Sequence, residues 1–381
     1  MKNRNVLILS TGFSLIFFAY SSVERYLTPY FSSLGQEKAS FVILLILYIF
    51  FTLGNLFAPS IIDRYGAKKS MILGSFFYFL FIFTLPFKSL RLTTIAAALI
   101  GLGGGLLWSS QNSYIVLASD EKKHGESNGY FRMLTSFFSF LGVIIFGYLV
   151  KFFSFEIPMY IYSLFPLIGL FALTFLEDKK LDYDPLKKTN FDIRDSKLIR
   201  ISLVGFSTYF IHGLVIGIVP LQIKEILGIE FIGILLSLFF LVPILLSYPL
   251  GKLSDTFGRK KSLLLSYYVM IIGLFLLFLS KSKFPLILGI IILTLNYATM
   301  RPLSAALIGD ISTKKNVNII SSFFWFVQGF GIFSSLLLSL IIQNGITYII
   351  SIFTIIAILF LIRPVISNLE QTKKDLLKDT Q

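Results

Sequence analysis

A chain that alternates long apolar runs with short charged turns has few ways to fold. Each run is long enough to cross a bilayer, and inside hydrocarbon its backbone must satisfy itself without water. In this 381-residue sequence the runs fall near residues 6–33, 39–61, 70–87, 92–117, 129–150 and 155–176. A second set falls near 199–222, 231–252, 262–280, 284–308, 319–342 and 346–363. A helix closes all its backbone bonds within the segment, so the expected fold is an all-α integral membrane protein with twelve transmembrane helices. Composition agrees: charged residues make up 14%, against roughly 25% in soluble domains.

The net charge of +14 would suggest a nucleic-acid partner in a soluble chain. Here the basic residues gather in short turns, as membrane topology requires, and no nucleic-acid partner is expected. Of the 34 Lys and Arg, only Arg25, Lys38, Lys88, Arg91, Lys151, Lys224, Lys281 and Lys283 fall in the outer loops, with Arg132 and Arg301 inside helices. The rest crowd the opposite side, which predicts a multi-pass cell-membrane protein with both termini cytoplasmic. The first run exceeds a signal-peptide core and reads as a retained helix. With no cysteine and two histidines, neither a disulfide nor a metal site is expected. No cluster of His, Asp and Glu and no nucleophile motif points to an enzyme. The glycines 101, 103, 104 and 105 suit close helix approach rather than phosphate binding, because no lysine or strand context accompanies them.

The turn Gly251-Lys-Leu-Ser-Asp255-Thr-Phe-Gly258-Arg259-Lys260-Lys261 has a counterpart 192 positions earlier in Asp63-Arg64-Tyr65-Gly66-Ala67-Lys68-Lys69. In each, glycine can take a backbone conformation closed to other residues and so reverse the chain between helices. Pro29 matches Pro220, and Asp120 matches Asp310, at nearly the same offset. Six helices return the chain to its starting side. The repeat therefore predicts two pseudo-symmetric six-helix halves in the same orientation, residues 1–176 and 199–363. A cytoplasmic linker, 177–198, joins them, and a polar tail, 364–381, follows. Parallel halves of this kind are one architecture of secondary transporters.

These residues resemble the major facilitator superfamily over nearly the whole chain. The family's loop between its second and third helices runs Gly-x-x-x-Asp-Arg/Lys-x-Gly-Arg/Lys-Arg/Lys. Gly251, Asp255, Gly258, Arg259 and Lys260 match it, with Thr256 at the first basic position. Asp63, Arg64, Gly66 and Lys68 match in the first copy, where Pro59 and Ala67 depart from the pattern. The resemblance implies a gate built on Asp63 and Asp255, with Arg64 and the basic clusters as partners. It also implies a cavity lined by helices 1, 4, 7 and 10. The proline-containing signature of drug–proton antiporters is absent from Gly142-Val-Ile-Ile-Phe-Gly147, and helix 4 lacks an arginine before its glycines.

Ionisable groups at membrane depth are expensive and mark function. On helix 1, Ser10, Ser14, Ser21, Glu24 and Thr28 share one stripe, which aims Glu24 inward as a proton- or cation-coupling carboxylate. The opposing reading makes Glu24 and Arg25 a charge pair at the outer rim. Helix 10 offers Asn296 and Arg301, where the arginine binds an anionic substrate or pairs with Asp310 to close the gate. Gln111 and Asn112 hold the matching place on helix 4. His212 either carries a proton or bonds quietly to a neighbour.

The expected function is therefore secondary active transport of a small organic solute by a monomer in the lipid bilayer, through alternating access. No cofactor is expected, and a proton or other ion gradient drives transport. Proton-coupled efflux of amphipathic compounds leads. Sugars, organic anions or phosphate esters are the alternative substrates, and a non-transporting receptor or regulator is the alternative class.

Overall fold

The computed structural model describes residues 4–118, 124–178, 196–311 and 317–378. Its elements there are helical throughout: α1 (Arg4–Ser33), α2 (Glu37–Tyr65), α3 (Ala67–Thr84), α4 (Leu90–Ala118), α5 (His124–Phe153) and α6 (Glu156–Thr174), then α7 (Ser196–Ile216), α8 (Val219–Ile226), α9 (Glu230–Phe257), α10 (Arg259–Phe278), α11 (Lys283–Ile311), α12 (Val317–Ile341) and α13 (Ile346–Lys378). Among the described residues eleven spans are long and apolar enough to cross a membrane, and Glu230–Leu246 of α9 is a shorter apolar helix. With α7 and α8 counted as one span, these are the twelve helices anticipated. Large side chains such as Phe152, Phe284 and Phe353 stand exposed on their helices, which suits contact with lipid rather than water.

Two differences from the expected spans are seen, and the first has a local cause. The seventh run breaks between Ile216 and Val219. Pro220 has no N–H to give and its ring clashes with the carbonyl four residues back, at Ile216, so α7 ends there and α8 restarts with the proline in its first turn. The last helix passes through Pro364 and continues to Lys378 instead of giving way to an irregular tail.

The chain forms two compact units. One comprises Met1–Lys187 with Val215–Leu241, the other Lys188–Leu214 with Val242–Gln381. In the first, glycine lets helices approach to backbone contact. A methyl group on Gly54 would lie 2.8 Å from the Leu102 carbonyl oxygen, and one on Gly105 would lie 2.5 Å from the Asn55 nitrogen, so α2 and α4 touch along this seam. Gly74 and Gly103 do the same for α3 and α4. Gly142 of α5 meets the Phe18 carbonyl of α1. In the second unit Gly331 of α12 meets the Phe206 carbonyl of α7, and Gly273 and Gly289 bring α10 against α11.

The two charged turns share a backbone. Gly66 has φ 84 and ψ 155, and Gly258 has φ 89 and ψ 147. Another pair repeats one loop earlier: Gly35 and Gly228, both at positive φ, each stand two residues before the acidic first residue of a helix, Glu37 and Glu230.

Candidate functional site

Within the first unit α1 is the most enclosed helix, and its polar stripe is buried throughout: Ser10, Ser14, Ser21, Glu24 and Thr28 are all at most 5% exposed. Most of these groups are consumed locally. Ser10 donates to the Val6 carbonyl and Ser14 to the Ser10 carbonyl, both back along their own helix. Ser21 meets the Ser139 hydroxyl of α5 at 3.1 Å. Thr28 donates to the Gly217 carbonyl at 3.0 Å, which satisfies an acceptor that the α7–α8 break would otherwise strand.

Glu24 is different. Its Oε1 accepts the Tyr20 hydroxyl at 2.7 Å and the Tyr48 hydroxyl at 2.6 Å. Tyr20 lies one turn below it on α1, whereas Tyr48 reaches across from α2. Tyr78 of α3 packs edge-on against Tyr20, with centroids 4.8 Å apart. Phe17 links this group to Trp108 of α4 at 4.9 Å. The carboxylate thus sits in an aromatic wall, held by two phenolic donors.

Arg25, the next residue, points elsewhere. It is 1% exposed, and its guanidinium carbon lies 5.9 Å from the Phe239 ring and 5.5 Å from the Phe240 ring, both on α9. Its Nε and Nη1 have no hydrogen-bond partner among the described residues. Arg25 is thus part of α1 and not of an outer loop, and it does not pair with Glu24 among the described ion pairs. Glu24 lies nine residues before Ser33, where α1 ends, about 14 Å at 1.5 Å per residue.

The other candidates separate into three kinds. Gln111 is buried, and neither its amide oxygen nor its nitrogen has a partner among the described residues, while Asn112 is half-buried. Asn296 is committed to packing, since its side-chain nitrogen donates to the Ser266 carbonyl of α10 at 2.6 Å. His212, Tyr297 and Arg301 come together in the second unit. The imidazole stacks on the Tyr297 ring at 6.1 Å and 13°, and the Arg301 guanidinium lies 5.1 Å from the same ring. Tyr209 adds a contact to His212 at 5.9 Å and one to Trp325 at 6.0 Å.

At the charged turns the described contacts reach both within the turn and beyond it. Lys68 pairs with Asp178 at 3.9 Å, Arg64 rests 5.3 Å from the Tyr65 ring, and Arg259 and Lys260 are half-buried. Glu177, next to Asp178, accepts from Asn5 at 2.8 Å, and its carbonyl accepts the Tyr114 hydroxyl, so the chain leaving α6 is pinned to the start of α1. Gly251 is a backbone position within α9. Asp120 lies outside the described residues, as do the side chains of Asp63, Asp255 and Asp310. Sequence reasoning missed Tyr48, Phe239 and Phe240. Tyr20 was within reach, four residues before Glu24, but no spacing on one chain points from Glu24 to α2 or α9.

A model of the Major Facilitator Superfamily matches residues 2–199 and 201–378, which together cover nearly the whole chain. The chain belongs to this superfamily. Its fold agrees with solved superfamily-type transporters. A POT family transporter crystallised with 5-aminolevulinic acid superposes with a TM-score of 0.79 over 95% of this chain and 97% of that one, at 12% identity. Among curated relatives, the UNC93-like protein MFSD11 of Xenopus tropicalis is 31% identical over 146 residues, 37% of this chain and 32% of that protein. The putative potassium channel regulatory protein unc-93 of Caenorhabditis elegans is 28% identical over 113 residues, 29% of this chain and 15% of that protein. The chain therefore matches about a third or less of the length of these relatives.

Proposed function

We propose that this superfamily member is a secondary active transporter that moves a small organic solute by alternating access, with Glu24 taking up and releasing the coupling proton. The observation that carries this is the Glu24 carboxylate, enclosed nine residues before the end of α1 and held by Tyr20 and Tyr48 from two helices. A buried carboxylate is costly in a membrane and is kept where it works. The two phenols donate to the charged form, and the weakening of these charge-assisted bonds when a proton arrives would loosen α1 from α2. Residues 1–176 would rock against 199–381, with Asp63 and Asp255 holding the inner side closed. The chain would act as a monomer without a cofactor, in the cell membrane with both termini cytoplasmic. An amphipathic solute suits the aromatic wall of Phe17, Tyr20, Tyr78 and Trp108. Sugars, organic anions and phosphate esters remain the competing classes.

A second reading is favoured by one finding, the relative named as a putative potassium channel regulatory protein. On that reading the chain binds a ligand or a channel without moving solute. Flux through proteoliposomes separates the two. With an imposed pH gradient and a panel of solutes, the wild type should accumulate or expel at least one, while Glu24→Gln should lose gradient-driven movement and keep solute exchange. Gradient-driven movement that is intact in Glu24→Gln would reject the coupling role, and binding with no flux for any solute would favour the regulator.

A further inference from the structure

The geometry points to Arg25 as the anchor for an organic anion: a ligand whose carboxylate meets the guanidinium while its ring lies against Phe239 and Phe240. This rests on the view that the enclosed part of the first unit takes a solute, and it narrows that solute's class. Arg25 ranks among the largest fully buried side chains of the protein, at 1% exposed. A guanidinium carries five N–H donors and stays charged. Burial without acceptors is among the costliest placements a side chain can have. Yet Nε and Nη1 have no hydrogen-bond partner among the described residues.

The neighbouring carboxylate makes no ion pair with it. The acceptor of Glu24 faces Tyr20 and Tyr48, and the ion pairs of the described residues lie elsewhere: Arg4–Glu177, Lys68–Asp178, Lys88–Glu156 and Lys151–Glu230. What faces Arg25 is aromatic. Phe239 and Phe240 interact with the cation through their ring faces, 5.9 and 5.5 Å away. Rings offer no lone pairs to the N–H edge. A side chain needed only for packing would gain the same ring contacts from a methionine without the charge. The group that best completes a guanidinium is a carboxylate, whose oxygens accept charge-assisted bonds from its donors. With rings already against the cation, an aromatic carboxylate matches the chemistry of both the guanidinium and the rings, whereas an inorganic anion or a neutral alcohol matches only one or neither.

The test uses the full chain, purified in detergent, with 3-phenylpropionate as the probe and 3-phenylpropanol as its neutral counterpart. Thermal unfolding is followed by intrinsic fluorescence for the wild type and Arg25→Met. The acid should raise Tm of the wild type in a concentration-dependent way. The alcohol should not, and Arg25→Met should lose the response. Ligand-free Arg25→Met should unfold at or above the wild-type temperature, because the substitution removes a buried charge that makes no ion pair among the described residues. The proposal is overturned by any of three results: no response of the wild type, a response retained in Arg25→Met, or ligand-free Arg25→Met that unfolds well below the wild type, which would mark a structural arginine. Binding of the acid with no flux in proteoliposomes would leave this site standing while it removed the transport reading.

Discussion

The two halves of the sequence repeat agree at the level of backbone and part company at the level of side chains. Gly66 and Gly258 take nearly the same φ and ψ, Gly35 and Gly228 precede matching helix starts, and Gly142 meets Phe18 as Gly331 meets Phe206. The chemistry does not repeat. The first half holds a carboxylate between tyrosines, while the second stacks an imidazole and a guanidinium on Tyr297. Where a duplication preserves turns and close contacts but not polar groups, the scaffold has one task in both copies and the polar groups have separate ones.

The largest test of the shared scaffold is to put a methyl group into both glycine contacts. Alanine is the better helix former by about 1 kcal/mol, so Gly142→Ala and Gly331→Ala would each stabilise an unhindered helix. Here each methyl would collide with a backbone carbonyl that no rotamer change can move. A net loss of about 1–3 kcal/mol is expected for each, read as lower Tm and folded yield in detergent. Gly129→Ala is the control, since nothing lies within 4 Å of its added methyl; it should be neutral or slightly stabilising. A large loss at one glycine and none at the other would break the equivalence of the two halves.

A single substitution of similar size to one of these, and smaller than the two together, should act where the halves differ. Tyr48→Phe removes the single donor that reaches Glu24 from α2 and leaves the ring in place. A hydrogen bond to a charged group contributes about 1.5–3 kcal/mol, so Tm should fall by the equivalent of that range. In the Glu24→Gln background, where the amide oxygen still accepts, the effect should shrink to the roughly 0.5–1.5 kcal/mol of a neutral hydrogen bond if the hydroxyl acts only through the carboxylate. An equal loss in both backgrounds would show that the phenol serves packing alone.

How much of this was legible in the sequence follows from the range of each interaction. The twelve spans, the duplication and the charged turns are local patterns of hydropathy, glycine and charge, and the structure carries all of them. The inward face of Glu24 was also legible, because α1 places Ser10, Ser14, Ser21, Glu24 and Thr28 on one stripe. Its partners were not. Tyr48 is one of 18 tyrosines, and nothing in its immediate sequence marks it as a donor. Arg25 was counted with the outer-loop cations and also among the cavity candidates, and only the contacts put it within α1 against Phe239 and Phe240. Asn296 looked like a cavity residue, but its amide ties α11 to the Ser266 carbonyl. A polar side chain at membrane depth can be spent on a neighbouring helix as readily as on a ligand, and only the contact itself distinguishes the two.

The smallest expected effect concerns the pair Pro29 and Pro220, where one proline leaves its helix whole and its counterpart ends one. α1 runs through Pro29 to Ser33, whereas α7 stops at Ile216 and α8 starts at Val219. Three residues before each proline the sequence differs: Tyr26 is buried and packs on Phe146 at 5.2 Å, while Gly217 has no side chain to hold a turn in place. Without the proline's N–H both helices lose one bond, but only α1 has a buried ring next to the defect to keep its course. The free carbonyl at Gly217 is then taken by Thr28 from α1. Thr28→Val keeps the shape and removes the donor, which should cost about 0.5–1.5 kcal/mol and raise amide hydrogen exchange over residues 217–226 more than elsewhere. If exchange there is unchanged while Tm falls, the threonine stabilises α1 itself, and the break in the second copy owes its form to Pro220 and Gly217 alone.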